Sequence, residues 1–355
     1  MKTRLSYVDW TRGFAVLLMM QTHAYDGWLS EAGKSTFFYK LSRLAGGYPA
    51  PLFLFLSGLS LALMGEGLLE RGKPPVEVRR WSIRRGLEVV GYAVAFRLWM
   101  FTTGGFSRPS ELLRVDVLNC IGLSMLLVGA LALAAEAPRA RLRRSIGLAA
   151  GVALLTPLAW DLPWPQWIPG PLRAYWCGRA PGAFFPLFPW AGFTAAGAAT
   201  GLTLAWARKA DRETVTVACF GLAGALAFPV ALALDRLPSL YPVRDFWWTS
   251  PNYFLIKLGV MWLLLWFAQL WSRTPWARWP SPLRQLGRTS LLVYWVHIEI
   301  VYGGIVASGL RHRLSVTEAS LALLVLTLAM LALSLLRTSW RPSGRATPAP
   351  GAPAS

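Results

Sequence analysis

Arg12 and His23 stand eleven positions apart in one apolar stretch, Asp9-Trp-Thr-Arg12-Gly-Phe-Ala-Val-Leu-Leu-Met-Met-Gln-Thr-His23. At about 100° per residue this separation closes about three helical turns, so in a helix both side chains share a face, roughly 16 Å apart along the axis. A guanidinium attracts phosphates, and an imidazole takes up and returns protons near neutral pH. Polar groups inside a bilayer are costly, which makes such a pair a functional hypothesis by default.

Further groups could join them. Asp116 could accept the Nδ1 hydrogen of an imidazole and leave its Nε2 free to take a proton from a nucleophile; it is equally suited to start a helix, where the dipole favours an acid. Asp9 and Arg12, three residues apart, can form a local ion pair, or Arg12 with Arg97 can attract the phosphates of an anionic donor. His297 either hydrogen-bonds a neighbouring helix or joins the chemistry. Asn119, Asn252 and Lys257 are candidate contacts for an acceptor, and Lys257 could instead pair with a carboxylate. Cys120, Cys177 and Cys219 are scattered, without zinc-ligand spacing, and the chain has neither a Walker-type glycine loop nor HExxH. No metal site is expected.

The elements that hold these residues are membrane helices. The chain is 55% hydrophobic, with a mean hydropathy of +0.42. A net charge of +19 would suggest nucleic acid in a soluble chain, but here the basic residues lie between apolar runs and read as topology, so no nucleic-acid partner is expected. About ten spans can be drawn, at 7–25, 49–69, 86–104, 116–135, 145–160, 183–206, 214–234, 252–271, 288–308 and 317–336. The N-terminal end, the even-numbered connections and the C-terminal tail together hold 23 Lys and Arg, against 11 in the odd-numbered connections. This predicts an all-α polytopic bundle with both termini in the cytoplasm.

The basic start followed by an apolar core resembles a secretory signal, but no clear small-x-small cleavage site follows, so the stretch reads as a retained span. Residues 1–340 form one membrane domain, and 341–355, rich in Pro, Ala, Gly and Ser, are expected to be disordered. Pro186 and Pro189 predict a kinked or late-starting sixth span, and Gly147, Gly151, Gly221 and Gly224 predict close helix approach. At 1.5 Å per residue, Asp9, Arg12, Glu88, Arg97 and His297 fall inward or near mid-membrane, while His23, Asp116, Asn119, Asn252 and Lys257 fall toward the outside. His297 is placed about 13 Å above the inner end of its span and His23 about 24 Å above the inner end of its own, too far apart for a dyad. Asp116 is therefore the expected partner of His23.

These residues resemble a known family. The runs Arg4-Leu-Ser-Tyr-Val-Asp9-Trp-Thr-Arg12 with His23, Pro49-Ala-Pro51-Leu-Phe-Leu-Phe-Leu-Ser57-Gly58, Arg114-Val-Asp116-Val-Leu-Asn119-Cys-Ile-Gly122, Phe185-Pro186-Leu-Phe-Pro189-Trp190, Ser250-Pro251 and Gly287-Arg-Thr-Ser290-Leu-Leu-Val-Tyr294-Trp-Val-His297 look like those of bacterial relatives of heparan-α-glucosaminide N-acetyltransferase, across about residues 4–310. The Arg12-to-His23 spacing is also similar to that of the wider transmembrane acyltransferases that O-acetylate surface sugars. The resemblance implies transfer of an acetyl group from cytoplasmic acetyl-CoA to a sugar hydroxyl or amine on the far side. The family's lysosomal member carries a catalytic histidine in its first lumenal loop, whereas residues 24–48 here contain none, and His23 is the nearest substitute.

The expectation is thus a ten-span inner-membrane acyltransferase with acetyl-CoA as co-substrate and no permanently bound cofactor. In it His23 is general base, Asp116 orients it, His297 and Arg97 position the thioester or CoA, and Arg12 receives phosphate. The lipid bilayer and a sugar or glycan acceptor are its partners, with homo-oligomerisation left open. The alternative is a transporter or flippase that uses the same polar residues as a path.

Overall fold

The computed structural model describes residues 4–104, 109–165, 167–303 and 309–339, so the expected disordered tail lies outside the described residues. The described chain is helical: α1 Ser6–Trp28, α2 Glu31–Lys34, α3 Phe37–Gly46, α4 Pro49–Leu69, α5 Pro75–Thr102, α6 Val117–Leu127 continued by a π-turn Val128–Ala132, α7 Pro138–Asp161, α8 Gly170–Arg173, α9 Leu187–Lys209, α10 Glu213–Asp235, α11 Pro251–Trp271, α12 Pro282–Arg288, α13 Ser290–Tyr302 and α14 Val316–Ser339. Among the described residues, five stretches are long and apolar enough to cross a membrane: Phe37–Leu69, which includes α3 and α4, then Pro138–Asp161, Glu213–Asp235, Pro251–Trp271 and Val316–Ser339.

Every stretch expected to span holds a helix, but the ends differ. The helices of the third and fifth expected spans, α5 and α7, begin at Pro75 and Pro138, well before the expected 86 and 145. Proline at the first helical turn costs no hydrogen bond, and the arginines that follow are held in helical geometry. Arg84 and Arg85, for example, both reach Glu88, at 3.3 and 2.8 Å. The first outer connection contains α2 and α3. On α3, Phe37, Leu41 and Leu44 are exposed along one face, the pattern of a helix lying in an interface. The sixth span starts late: Phe188 is extended (φ −98°, ψ 119°), and the helix runs regularly from Pro189.

Two cores meet at α1. One gathers Leu54, Phe55, Leu59, Phe193, Leu202 and Met261 from α4, α9 and α11. The other packs Val16, Met19, Met20 and Trp28 of α1 against Leu286, Val293, Val301 and Met330 of α12, α13 and α14. At the end of the bundle that holds Arg12, Arg141 pairs with Glu66 at 2.8 Å and Trp206 donates to the other oxygen of Glu66 at 3.1 Å, joining α7, α4 and α9. Gly221 packs under Trp266 and Gly224 on the backbone of Gly259, as expected, but Gly147 and Gly151 face open space and bring no helix closer.

The segment that carries His297 is broken. Thr289 leaves helical geometry (φ −118°, ψ 24°) between α12 and α13. Its hydroxyl lies 2.6 Å from that of Ser334, and Gln285 donates to the Ser334 carbonyl and to Thr338, so α14 holds the break. The α12 part lies directly on α1: a Cβ on Gly13 would collide with the Leu283 carbonyl, and one on Gly287 with the Asp9 carbonyl.

Candidate functional site

This close packing sets the height of His297. Gly287 is level with residues 9–13, so His297 stands about 15 Å above that level and His23 about 18 Å. The expected difference in depth is therefore wrong, because it measured each histidine from its own helix end, and residue 288 already lies above the start of α1. The two rings are bonded: His23 Nδ1 and His297 Nε2 are 2.9 Å apart. Their centroids lie 5.2 Å apart with planes only 10° from parallel, the geometry of an in-plane hydrogen bond rather than of stacked faces.

The direction of this chain of bonds follows from its far end. His297 Nδ1 lies 2.7 Å from the Val293 carbonyl, which can only accept, so this nitrogen carries a proton. In the neutral ring His297 Nε2 then has a lone pair and accepts from His23 Nδ1–H. That leaves His23 Nε2 with its own lone pair, and among the described residues nothing hydrogen-bonds it. His297 is fully buried and His23 only partly so. His23 is the outward member that can meet a substrate, and His297 sets its tautomer from behind.

Around the pair, Tyr302 presents its ring edge-on to His23 at 5.6 Å, and its hydroxyl donates to the His23 carbonyl at 3.3 Å and to Asp26 at 3.2 Å. Tyr39 donates to the other Asp26 oxygen at 3.3 Å. Tyr294 meets His297 edge-on at 6.0 Å and Phe96 at 5.4 Å. Sequence reasoning missed Asp26, Tyr294 and Tyr302. The only available signal was spacing, since Asp26 and Tyr294 each lie three positions from a histidine on the same helix.

Asp116 does not orient His23. One of its oxygens is 2.8 Å from Arg97, and the other caps α6 by accepting from the Asn119 N–H at 3.0 Å; among the described residues no hydrogen bond joins it to His23. The helix-start reading holds because Asp116 is extended and has the free backbone donors of α6 directly ahead of it. The same contact corrects Arg97, which was expected inward or near mid-membrane. It lies near the far end of α5, level with Asp116 and at the opposite end of the bundle from Arg12, where it also donates to the Glu111 carbonyl at 3.3 Å. Asn119 donates to the Arg114 carbonyl, and nearby the Tyr175 phenol is raised above its ordinary value by burial and then by the charge of Asp116.

Arg12 sits between Asp9 at 3.4 Å and Ser60 at 2.7 Å, so the local ion pair is present. Asn252 donates to Asp235 at 3.0 Å, which also holds Arg244 at 2.7 Å; it ties α11 to α10 and the connection between them. Lys257 has no carboxylate partner among the described residues. Its ammonium lies over the rings of Tyr253 and Trp190, 4.7 and 5.4 Å from their centroids.

The apolar helices point to an integral membrane protein, and among them α1 and α13 hold the hydrogen-bonded pair His23 and His297. A family model described as heparan-alpha-glucosaminide N-acetyltransferase, catalytic, matches residues 4–234, about two thirds of the chain. The chain belongs to this family, and membership makes transmembrane acetyl transfer the class of activity it suggests. The matched residues include Arg12, His23, Arg97, Asp116 and Asn119, while Asn252, Lys257 and His297 lie beyond them. None of the curated proteins compared with the chain matches it.

Proposed function

We propose that the protein is a ten-span acetyltransferase of the bacterial inner membrane, with both termini in the cytoplasm, that moves an acetyl group from cytoplasmic acetyl-CoA to a sugar hydroxyl or amine on the outer face. The observation that carries the reading is the free lone pair on His23 Nε2, backed by His297 and Val293. In the reaction His23 Nε2 takes the proton as the acceptor's oxygen or nitrogen attacks the thioester carbonyl. The C–S bond then breaks, and the thiolate of CoA recovers the proton from His23. His297 acts through His23 as a positioning residue. Arg12, at the cytoplasmic end of the same helix, would meet the phosphates of the donor, and Asn119 and Lys257 would contact the acceptor. The same lone pair could instead attack the thioester and form an acetyl-imidazole, a route that trapping with hydroxylamine distinguishes.

The test is acetylation of a glucosamine acceptor by membranes given radiolabelled acetyl-CoA. At equal expression, His23→Ala should lower turnover by about 100-fold or more, the usual worth of a positioned base. Undiminished turnover would remove His23 from catalysis.

A further inference from the structure

A cavity of about 410 Å³ opens beside Arg97, within the range of small-ligand sites. Its walls are apolar. Val94 and Leu98 of α5, Leu113 of the 3₁₀ turn Pro109–Leu113 and Leu172 of α8 all line it, and each is more than half exposed. With α5 read as a span, Val94 and Leu98 face hydrocarbon, so the cavity is a groove that opens sideways into the bilayer. Apolar space of this kind fills with hydrocarbon rather than water.

The inner end differs from the walls. Arg97, Asn119 and Tyr175 close it; Arg97 and the Asn119 N–H are bonded to Asp116, and Tyr175 lies close enough to feel its charge. Phe96, next to Arg97, meets Tyr294, and Tyr294 meets His297, so these two rings pack between the helix turn of Arg97 and the buried side of the histidine pair. A groove with a lipid-facing apolar side and a polar end has the shape of an amphiphile: a hydrocarbon chain outside and a hydrogen-bonding head within.

We infer that this groove seats the hydrocarbon chain of a lipid-linked acceptor, with the sugar head at Arg97, Asn119 and Tyr175. The inference rests on the acetyltransferase reading for what happens to the head, but not for what binds in the groove. Lateral access also removes the need for a wide aqueous opening above His23, because the acceptor arrives already oriented by the bilayer.

The test uses dodecyl glucosaminide carrying a diazirine near the end of its chain, and free glucosamine, both with the full-length protein in reconstituted bilayers. Photolabelling should mark peptides that contain Leu98, Leu113 or Leu172, and Val94→Trp or Leu113→Trp should remove that mark. In the wild type kcat/KM should favour the dodecyl compound over free glucosamine, and either variant should lower the ratio at least 10-fold. The ratio is insensitive to a loss of folded protein. Label spread evenly over lipid-facing helices, in wild type and variants alike, overturns the groove, as does a ratio that neither variant changes. Should the wild type acetylate neither compound, the acetyltransferase reading fails, and the labelling pattern still decides what the groove binds.

Discussion

His297 stands where Asp116 was expected, against His23, while Asp116 caps α6 and pairs with Arg97. His297 touches His23 and holds its tautomer through a bond to Val293, so it should affect the chemical step more than binding of the donor. His297→Phe, which keeps a ring but removes both nitrogens, should lower kcat by about 10- to 100-fold with KM for acetyl-CoA little changed, while His297→Gln should recover part of the loss. Steady-state kinetics with both substrates would check this, and an equal change in KM would point to a merely structural role. Asp116 by contrast serves stability. Asp116→Asn retains a good helix cap but leaves the Arg97 guanidinium buried without the carboxylate now 2.8 Å away. Breaking a buried ion pair from one side costs about 3–5 kcal/mol, so the melting temperature in detergent should fall by several degrees. Adding Arg97→Met should restore part of it, because the stranded charge is then gone; no recovery would count against the ion pair as the cause.

At the level of elements, the contact between α1 and α12 decides the geometry of the site. Gly13 and Gly287 let the two backbones meet, which sets His297 level with His23. Gly13→Ala should therefore lower thermal stability and the monodisperse fraction on size-exclusion chromatography, since its methyl would fall on the Leu283 carbonyl. Gly147→Ala is the control: nothing lies within 4 Å, and alanine's higher helix propensity should stabilise by about 0.5–1 kcal/mol. Equal behaviour of the two would show that α12 does not rest on α1 as described. These contacts explain what the sequence could reveal. Apolar runs marked where helices lie, because burial in lipid or core demands long apolar segments. Hydropathy was blind to the charged turns that extend α5 and α7 and to the break at Thr289, which depend on ion pairs and on Ser334. Arg12 and His23 were legible as a shared face because both lie on one helix. The bond from His23 to His297 was not, because it depends on the offset between two helices, which a glycine contact sets.

Across the whole molecule, orientation decides whether the proposed chemistry of the histidine pair has a use. The charge of +19 is unevenly distributed, with 23 of the Lys and Arg in the regions read as inner and 11 in those read as outer. In the proposed orientation that bias places Arg12 at the cytoplasmic end of α1 and His23 toward the outside, so one helix would join the proposed donor side to the proposed acceptor side. The basic turns at the starts of α5 and α7 carry eight of those 23, Arg79, Arg80, Arg84 and Arg85, and then Arg139, Arg141, Arg143 and Arg144, each costly to translocate. Alkaline phosphatase fused after residue 36 or after residue 245 should therefore be active in a bacterial host, because the enzyme folds only outside the cytoplasm, and fusions after residues 73 or 211 should be inactive. Green fluorescent protein at the C-terminus should fluoresce, as it does only when retained inside. The inverse pattern would put His23 on the donor side and Arg12 on the acceptor side, and no route for an acetyl group from cytoplasmic acetyl-CoA to an outer sugar would then run along α1.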